Sequence, residues 1–204
     1  MFEVRKSIKR FRDDPGWTYR KRARDYLATF QGDGYPFSLG PQGVSARNLL
    51  QGSFHGREVS LFHLLASHRT GGSNRAIVTV TYSVAVLSLP RALPATAFTS
   101  NRLVPTGRQK RPALPRTPGR HRDLVEIGAH LVQCCSEDPD FAALLHTSAL
   151  ERVMHDARLG WRIEGSRIIG WTYGRKTYED LLSLAETVAA LIDDFPERVW
   201  RWPE

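Results

Sequence analysis

The chain has only two cysteines among its 204 residues, and they are neighbours, Cys134 and Cys135. Adjacent cysteines seldom bond to each other, and two are too few for a disulfide framework or a structural zinc site. The scarcity of cysteine therefore excludes a disulfide-stapled fold, and we expect two buried structural thiols. Cys134 as a nucleophile beside His130 is the less favoured interpretation.

Long hydrophobic runs are also missing. No apolar stretch approaches the roughly 18–20 residues that span a bilayer. The first residues, MFEVRKSIKRFRDD, are basic and lack the apolar core and small-residue cleavage site of a secretory signal. We therefore expect a bacterial cytoplasmic protein, with the inner face of the membrane as the alternative location.

Sequence motifs that carry chemistry are absent as well. The seven histidines show no i, i+4 pair with a nearby glutamate, no glycine run has the spacing of a phosphate or dinucleotide loop, and no serine lies in a G-x-S-x-G turn. His63 alternates with apolar residues and is expected to be a hydrogen-bonded core residue. We predict no catalytic, cofactor-binding or metal-binding residues, no enzymatic activity and no small-molecule substrate; an enzyme of unknown class is the third hypothesis.

Charge is present in excess but unevenly placed. The net charge is +8, yet residues 1–122 hold 21 Lys/Arg against 6 Asp/Glu, while residues 123–204 hold 8 against 15. Residues 1–24 and 101–122 concentrate the positive charge. Such clustering indicates an anionic partner. The simpler alternative is that the basic and acidic halves neutralise each other within the fold.

These segments give the leading hypothesis, a non-catalytic adaptor that binds a protein partner and an anionic membrane surface. The alternative is a nucleic-acid-binding protein that uses residues 5–24 and 102–122, since cations interleaved with aromatic residues suit phosphates and stacked bases. An exposed Trp/Arg C-terminus is a further contact candidate. The predicted partner-binding residues are Arg5, Lys6, Lys9, Arg10, Arg20, Lys21, Arg22, Arg108, Lys110, Arg111, Trp200 and Trp202.

The pattern of apolar residues predicts an α+β fold. Residues 43–90 read as an antiparallel meander, extended by strands near 95–100, 123–135 and 161–172, the last as a hairpin over Gly165 and Ser166. Helices over 17–30, 138–158 and 178–194 are expected on one face of the sheet. Residues 1–14 form a basic arm or short helix, 15–204 a single domain, and 101–122 a mobile basic, proline-rich loop within it.

The central strand is the β-branched run 75–90, whose alternate residues face opposite sides of the sheet. We expect the closing helix to cover Ala85, Leu87 and Leu89, and we expect Thr79, Thr81 and Ser83 to remain open to solvent.

Five short motifs resemble a family of uncharacterised, mostly actinobacterial proteins. They are Gly16-Trp17, Asn48 to Gly52 with Gly56-Arg57, Leu89-Pro90 through Leu93-Pro94, Asp138 to Ala142, and Phe195 to Val199. The resemblance covers roughly residues 15–200. It implies an α+β domain and brings no activity or catalytic residues.

Overall fold

The computed structural model of the protein describes residues 2–30, 34–40, 43–69, 76–100, 123–127, 132–146 and 158–203. Several sequence-based predictions lie outside these residues. They are the basic loop 101–122 with Arg108, Lys110 and Arg111, residue His130, residues 70–75 of the predicted meander, and residues 147–157 of the predicted helix 138–158.

The described strands form one eight-stranded antiparallel sheet in the order β1-β2-β3-β4-β8-β5-β7-β6. This confirms the α+β prediction and the meander at its centre. The strands are β1 (Trp17–Arg22), β2 (Val44–Phe54), β3 (Arg57–Arg69), β4 (Ile77–Leu93), β5 (Thr96–Ser100), β6 (Asp123–Ile127), β7 (Val132–Ser136) and β8 (Gly160–Tyr173).

The helices are α1 (Phe2–Arg12), α2 (Arg24–Leu27), α3 (Pro139–Leu145) and α4 (Tyr178–Asp193). The starts of the helices predicted over 138–158 and 178–194 are confirmed. The Asp138 side chain accepts hydrogen bonds from the backbone N–H groups of Asp140 and Phe141 at the start of α3. At the start of α4, Thr177 forms a capping box with Asp180.

Strand β4 is buried on both faces through its middle. Tyr82, Val84 and Val86 pack into one core, while Ala85 and Leu87 pack into the other, beneath α4. Helices α3 and α4 pack on that second core, as predicted for 138–158 and 178–194. Helix α1 packs there too, although residues 1–14 were predicted only as a basic arm or short helix. The opposite core is closed by residues 23–30 and 34–40, which include the single turn of α2 and bury Ala23, Phe30, Tyr35 and Phe37.

The expectation that Ser83 stays open is wrong. Its hydroxyl donates to the carbonyl of Gly174 at 2.9 Å and accepts the N–H of Lys176 at 3.0 Å. The connection from β8 to α4 therefore lies over Ser83 and buries it completely. Thr81 is half-buried and Thr79 is exposed, so the open part of this face is shorter than predicted.

The helix predicted over 17–30 is replaced by strand β1 and the one turn of α2. Trp17 and Tyr19 both pack toward the core beneath α4, which is the two-residue alternation of a strand. Gly52 on β2 makes room for Trp17, because a Cβ there would lie 2.7 Å from the indole ring.

The hairpin predicted over Gly165 and Ser166 is also wrong, because β8 is one continuous strand. It pairs with β4 from Arg167 to Tyr173 and with β5 through Trp161 and Arg162. Gly165 has a φ of 59°, and it lies where the register of the β4–β8 ladder shifts. The positive φ of Gly165 therefore accommodates an irregularity within the strand, and the chain does not reverse there.

The contact between β8 and α4 gives a direct test of the fold. A Cβ added at Gly170 would lie 2.4 Å from Cγ2 of Val188 on α4. We expect Gly170→Ala to lower the free energy of unfolding by about 1–3 kcal/mol, because overpacking forces the helix away from the sheet. Urea unfolding measures the loss. Ser166→Ala, at an exposed position of the same strand, is the control, and equal effects of the two changes would contradict the packing.

Candidate interaction surface

Helix α1 is docked on the domain by its apolar side. Val4 is buried, and Ile8 and Phe11 are half-buried against the core beneath α4. The ring of Phe11 lies 5.6 Å from that of Tyr178 and 6.3 Å from that of Trp17. The apolar face of α1 is therefore used inside the protein.

A polar contact fixes α1 against the start of α4. The buried hydroxyl of Ser7 donates to Glu179 Oε2 at 2.5 Å and accepts the N–H of Tyr178 at 2.8 Å. Arg10 Nη1 makes an ion pair with Glu179 Oε1 at 2.9 Å. Ser7 thus satisfies one of the backbone N–H groups that a helix start leaves without an intrahelical partner.

The remaining side of α1 carries exposed cations, and β1 continues the positive charge. Arg20 is half-buried, with its guanidinium bonded to Asp25 at 2.5 Å and to Gln51 at 3.2 Å. We call the cations of α1 and β1 the basic surface. Its exposed members are Arg5, Lys6, Lys9, Arg10, Arg12, Lys21 and Arg22.

Two further cations, Arg175 and Lys176, were not predicted from sequence. They are exposed in the connection between β8 and α4. The charges of Arg12 and Arg175 both act on the phenol of Tyr19 and oppose the rise that burial causes in its pKa. The folded chain therefore brings residues from both halves of the sequence together beside β1, which only the strand order could reveal.

A buried polar network lies beneath this surface. The Nε2 atom of His63 lies 2.8 Å from the carbonyl of Lys176, so it must carry the proton and donate. The Nδ1 atom then accepts from the amide of Asn48 at 3.3 Å. Asn48 in turn accepts from the hydroxyls of Tyr19 at 3.0 Å and Tyr178 at 2.5 Å. The network confirms that His63 is a hydrogen-bonded core residue, and it joins β1, β2, β3 and the start of α4.

The two C-terminal tryptophans lie elsewhere. Both are half-buried on the core, where Trp200 packs near Phe195 and Trp202 packs near Phe141 and donates to Asp138 at 3.1 Å. They follow the end of α4, whereas the basic surface adjoins its start. A helix of this length spans about 24 Å at 1.5 Å per residue. The fold therefore separates Trp200 and Trp202 from the predicted basic residues.

A surface groove of about 420 Å³ opens beside Trp200. At this groove the Asp193 carboxylate forms an ion pair with Arg57 at 2.7 Å. Arg91 donates a hydrogen bond to the carbonyl of Trp200 at 3.2 Å. The groove is lined by Arg57, Pro90, Arg91, Ile192, Asp193 and Trp200. Among the described residues that line it, Asp193 is the one carboxylate, whereas general acid–base hydrolysis uses two.

Within the described ranges, no three His, Cys, Asp or Glu side chains come together as a metal site would require. Cys134 and Cys135 are both buried, as expected, and burial raises the pKa of the Cys134 thiol to about 12. In that same part of the chain, no helix is both long and apolar enough to cross a membrane.

Comparison with known proteins places the fold. No model of a protein family and no curated protein matches the chain. A solved structure that shares the fold is the crystal structure of the mycobacterial trehalose monomycolate transport factor A, TtfA. The match has a TM-score of 0.64 and 15% identity, and it covers 95% of this chain and 94% of that chain.

At this identity the likeness shows a common fold alone. It agrees with the resemblance to actinobacterial proteins at the level of fold, and membership of that particular family stays a prediction.

The His63 network predicts how stability depends on pH. Burial lowers the pKa of His63 from 6.5 to about 4, so the unfolded chain binds this proton more readily than the folded one. The stabilisation from a neutral His63 is fully present above pH 6.5, and about 3 kcal/mol of it is lost by pH 4. Urea unfolding at several pH values measures it.

The matched variants are His63→Gln, which removes the buried titrating group, and His55→Gln, which replaces a histidine at an exposed position. The first should flatten the acid slope of the unfolding free energy and the second should leave it unchanged. Identical slopes in both variants and the parent would contradict a neutral, buried His63.

Proposed function

We propose that the protein is a non-catalytic adaptor that binds a protein partner and is held at an anionic membrane by its basic surface. The observation that carries this is the orientation of α1. The helix buries Val4 and Ser7 against the domain and leaves its cations in solvent. The docked helix therefore presents an ordered row of positive charge.

The pairing of these cations argues against simple internal neutralisation. Arg10 is bonded to Glu179, and Arg12 to its neighbour Asp13 at 3.0 Å. In the described part of the chain, Arg5, Lys6 and Lys9 take part in no ion pair. The acidic half of the sequence thus leaves charge on α1 available to a partner.

The same orientation defines the kind of membrane contact. An interfacial helix usually inserts its apolar face among the lipids, but here Val4, Ile8 and Phe11 face the protein core. Binding would therefore be electrostatic, worth about 1 kcal/mol for each basic residue near an acidic surface. Such binding weakens as salt rises.

The fold neighbour adds support for an accessory role. That protein is described as a trehalose monomycolate transport factor. A binding function for the present chain is compatible with that description, and the basic surface gives it a physical basis.

Neutralising part of α1 tests the membrane contact. The double variant Lys6→Gln, Lys9→Gln should bind vesicles containing phosphatidylglycerol about 30-fold more weakly than the parent, because it loses two surface cations. Cosedimentation with vesicles, with and without the anionic lipid, measures this.

The charge-matched control is Arg198→Gln, Arg201→Gln, at exposed positions beyond the far end of α4, and it should bind as the parent does. Equal losses in both variants would contradict a defined surface. Tighter binding to duplex DNA than to vesicles, with a steep dependence on salt, would favour the nucleic-acid alternative.

A further inference from the structure

We propose that strand β1 is the docking site for the protein partner, and that an acidic, extended segment of that partner pairs with β1 as an additional strand. This inference rests on the proposed adaptor function and names the mode by which the partner is bound. It requires an open strand edge, a charge that selects the occupant and a surface on which the added strand can pack.

The first requirement is met by the topology. Strand β1 is at one end of the described sheet, where β2 is its only partner, from Trp17 opposite Gly52 to Arg22 opposite Arg47. In an antiparallel strand the N–H and C=O groups point alternately to the two sides, so half of those in β1 face away from β2.

Among the described residues, the outward N–H and C=O groups in the middle of β1 have no backbone partner. Beyond the β1–β2 ladder, the backbone bonds at this strand are at its ends, from the N–H of Trp17 to Asp14 and from that of Ala23 to Ala46. Thr18, Lys21 and Arg22 are exposed. Within the described residues, the middle of this edge therefore has its outward donors and acceptors open to an added strand, the arrangement used in β-augmentation.

The charge of β1 selects among possible occupants. Arg20, Lys21 and Arg22 are consecutive, and Asp25 is bonded to the first of them. Cations on an edge strand oppose pairing with another basic strand, since like charges directly opposite each other destabilise a sheet. A second copy of β1 is thus disfavoured. An acidic strand gains from each opposite-charge pair.

Aromatic side chains complete the surface. Trp17 and Tyr19 are half-buried, so each also leaves part of its ring exposed beside the edge. Their positions are fixed from beneath, because Trp17 contacts Phe11 and the Tyr19 hydroxyl donates to Asn48. Aromatic rings that are held in place in this way can pack against apolar or β-branched side chains of an added strand.

The test uses a synthetic peptide of alternating glutamate and threonine, with the full-length protein labelled for NMR hydrogen exchange. On binding, the exchange rate of the outward-facing amides of β1 should fall to about a tenth or below, because these amides become hydrogen-bonded in a ladder. The same peptide with a central proline lacks a ladder donor and should give little protection. Binding without protection of β1 amides would overturn strand addition.

A charge exchange supplies the second arm. Lys21→Glu, Arg22→Glu should lose the glutamate–threonine peptide and gain a lysine–threonine peptide of the same length. Arg198→Glu, Arg201→Glu should change neither. Unchanged exchange of the buried amides of β3 and β4 verifies that the variants are folded. A variant that keeps its preference for the acidic peptide would contradict β1 as the site.

The remaining outcomes are also decisive. Strand β6, at the other end of the sheet, has the acidic sequence DLVEI. Protection of β1 amides that grows with protein concentration, without peptide, would show self-assembly and overturn a foreign partner. If neither peptide binds while anionic vesicles still do, strand addition fails and the membrane part of the proposed function survives.

Discussion

The burial of β4 on both faces is the constraint on which the rest of the fold depends. A strand with Tyr82 and Val84 on one side and Ala85 and Leu87 on the other needs two covers. Helix α4 provides one, and residues 23–30 and 34–40 provide the other. On the second side, Arg167 lies 4.4 Å from the ring of Phe30 and donates to the carbonyl of Thr29 at 2.7 Å, while the buried Arg162 lies over Phe37 at 5.0 Å.

This arrangement determines where charge can accumulate. Helix α4 packs on β4 and β3, and its first turn extends toward β1. There the Ser7 hydroxyl of α1 is hydrogen-bonded to Glu179 and to the N–H of Tyr178. Strand β1 has no neighbour on its outer side in the described sheet, and its cations lie in solvent. The positive charge of the N-terminal sequence is therefore gathered at one edge of the sheet, beside the start of α4 and away from Trp200 and Trp202.

The parts of the fold that sequence predicts are those set by local patterns. The β-branched run of β4, the glycine turn between β2 and β3, and the capping box of Thr177 and Asp180 each act within a few residues. Strand β1 was mistaken for a helix because Trp17, Ala23 and Tyr26 also fit a helical stripe, and only pairing with β2 decides between them. The continuity of β8 and the burial of Ser83 depend on contacts about 90 residues apart. The basic surface was predicted in its N-terminal members, whereas Arg175 joins it only through the folded topology.

The most direct measurement is the distance between spin labels on α1 and α4 as the protein binds anionic vesicles. Glu3→Cys and Glu186→Cys place the labels at exposed positions, while the native thiols are buried. The account predicts a distance distribution that is the same in solution and on the membrane, because α1 stays docked through Ser7 and binds by its outer cations. A longer or much broader distribution on vesicles would show that α1 leaves α4 to insert its apolar face, and would contradict the account.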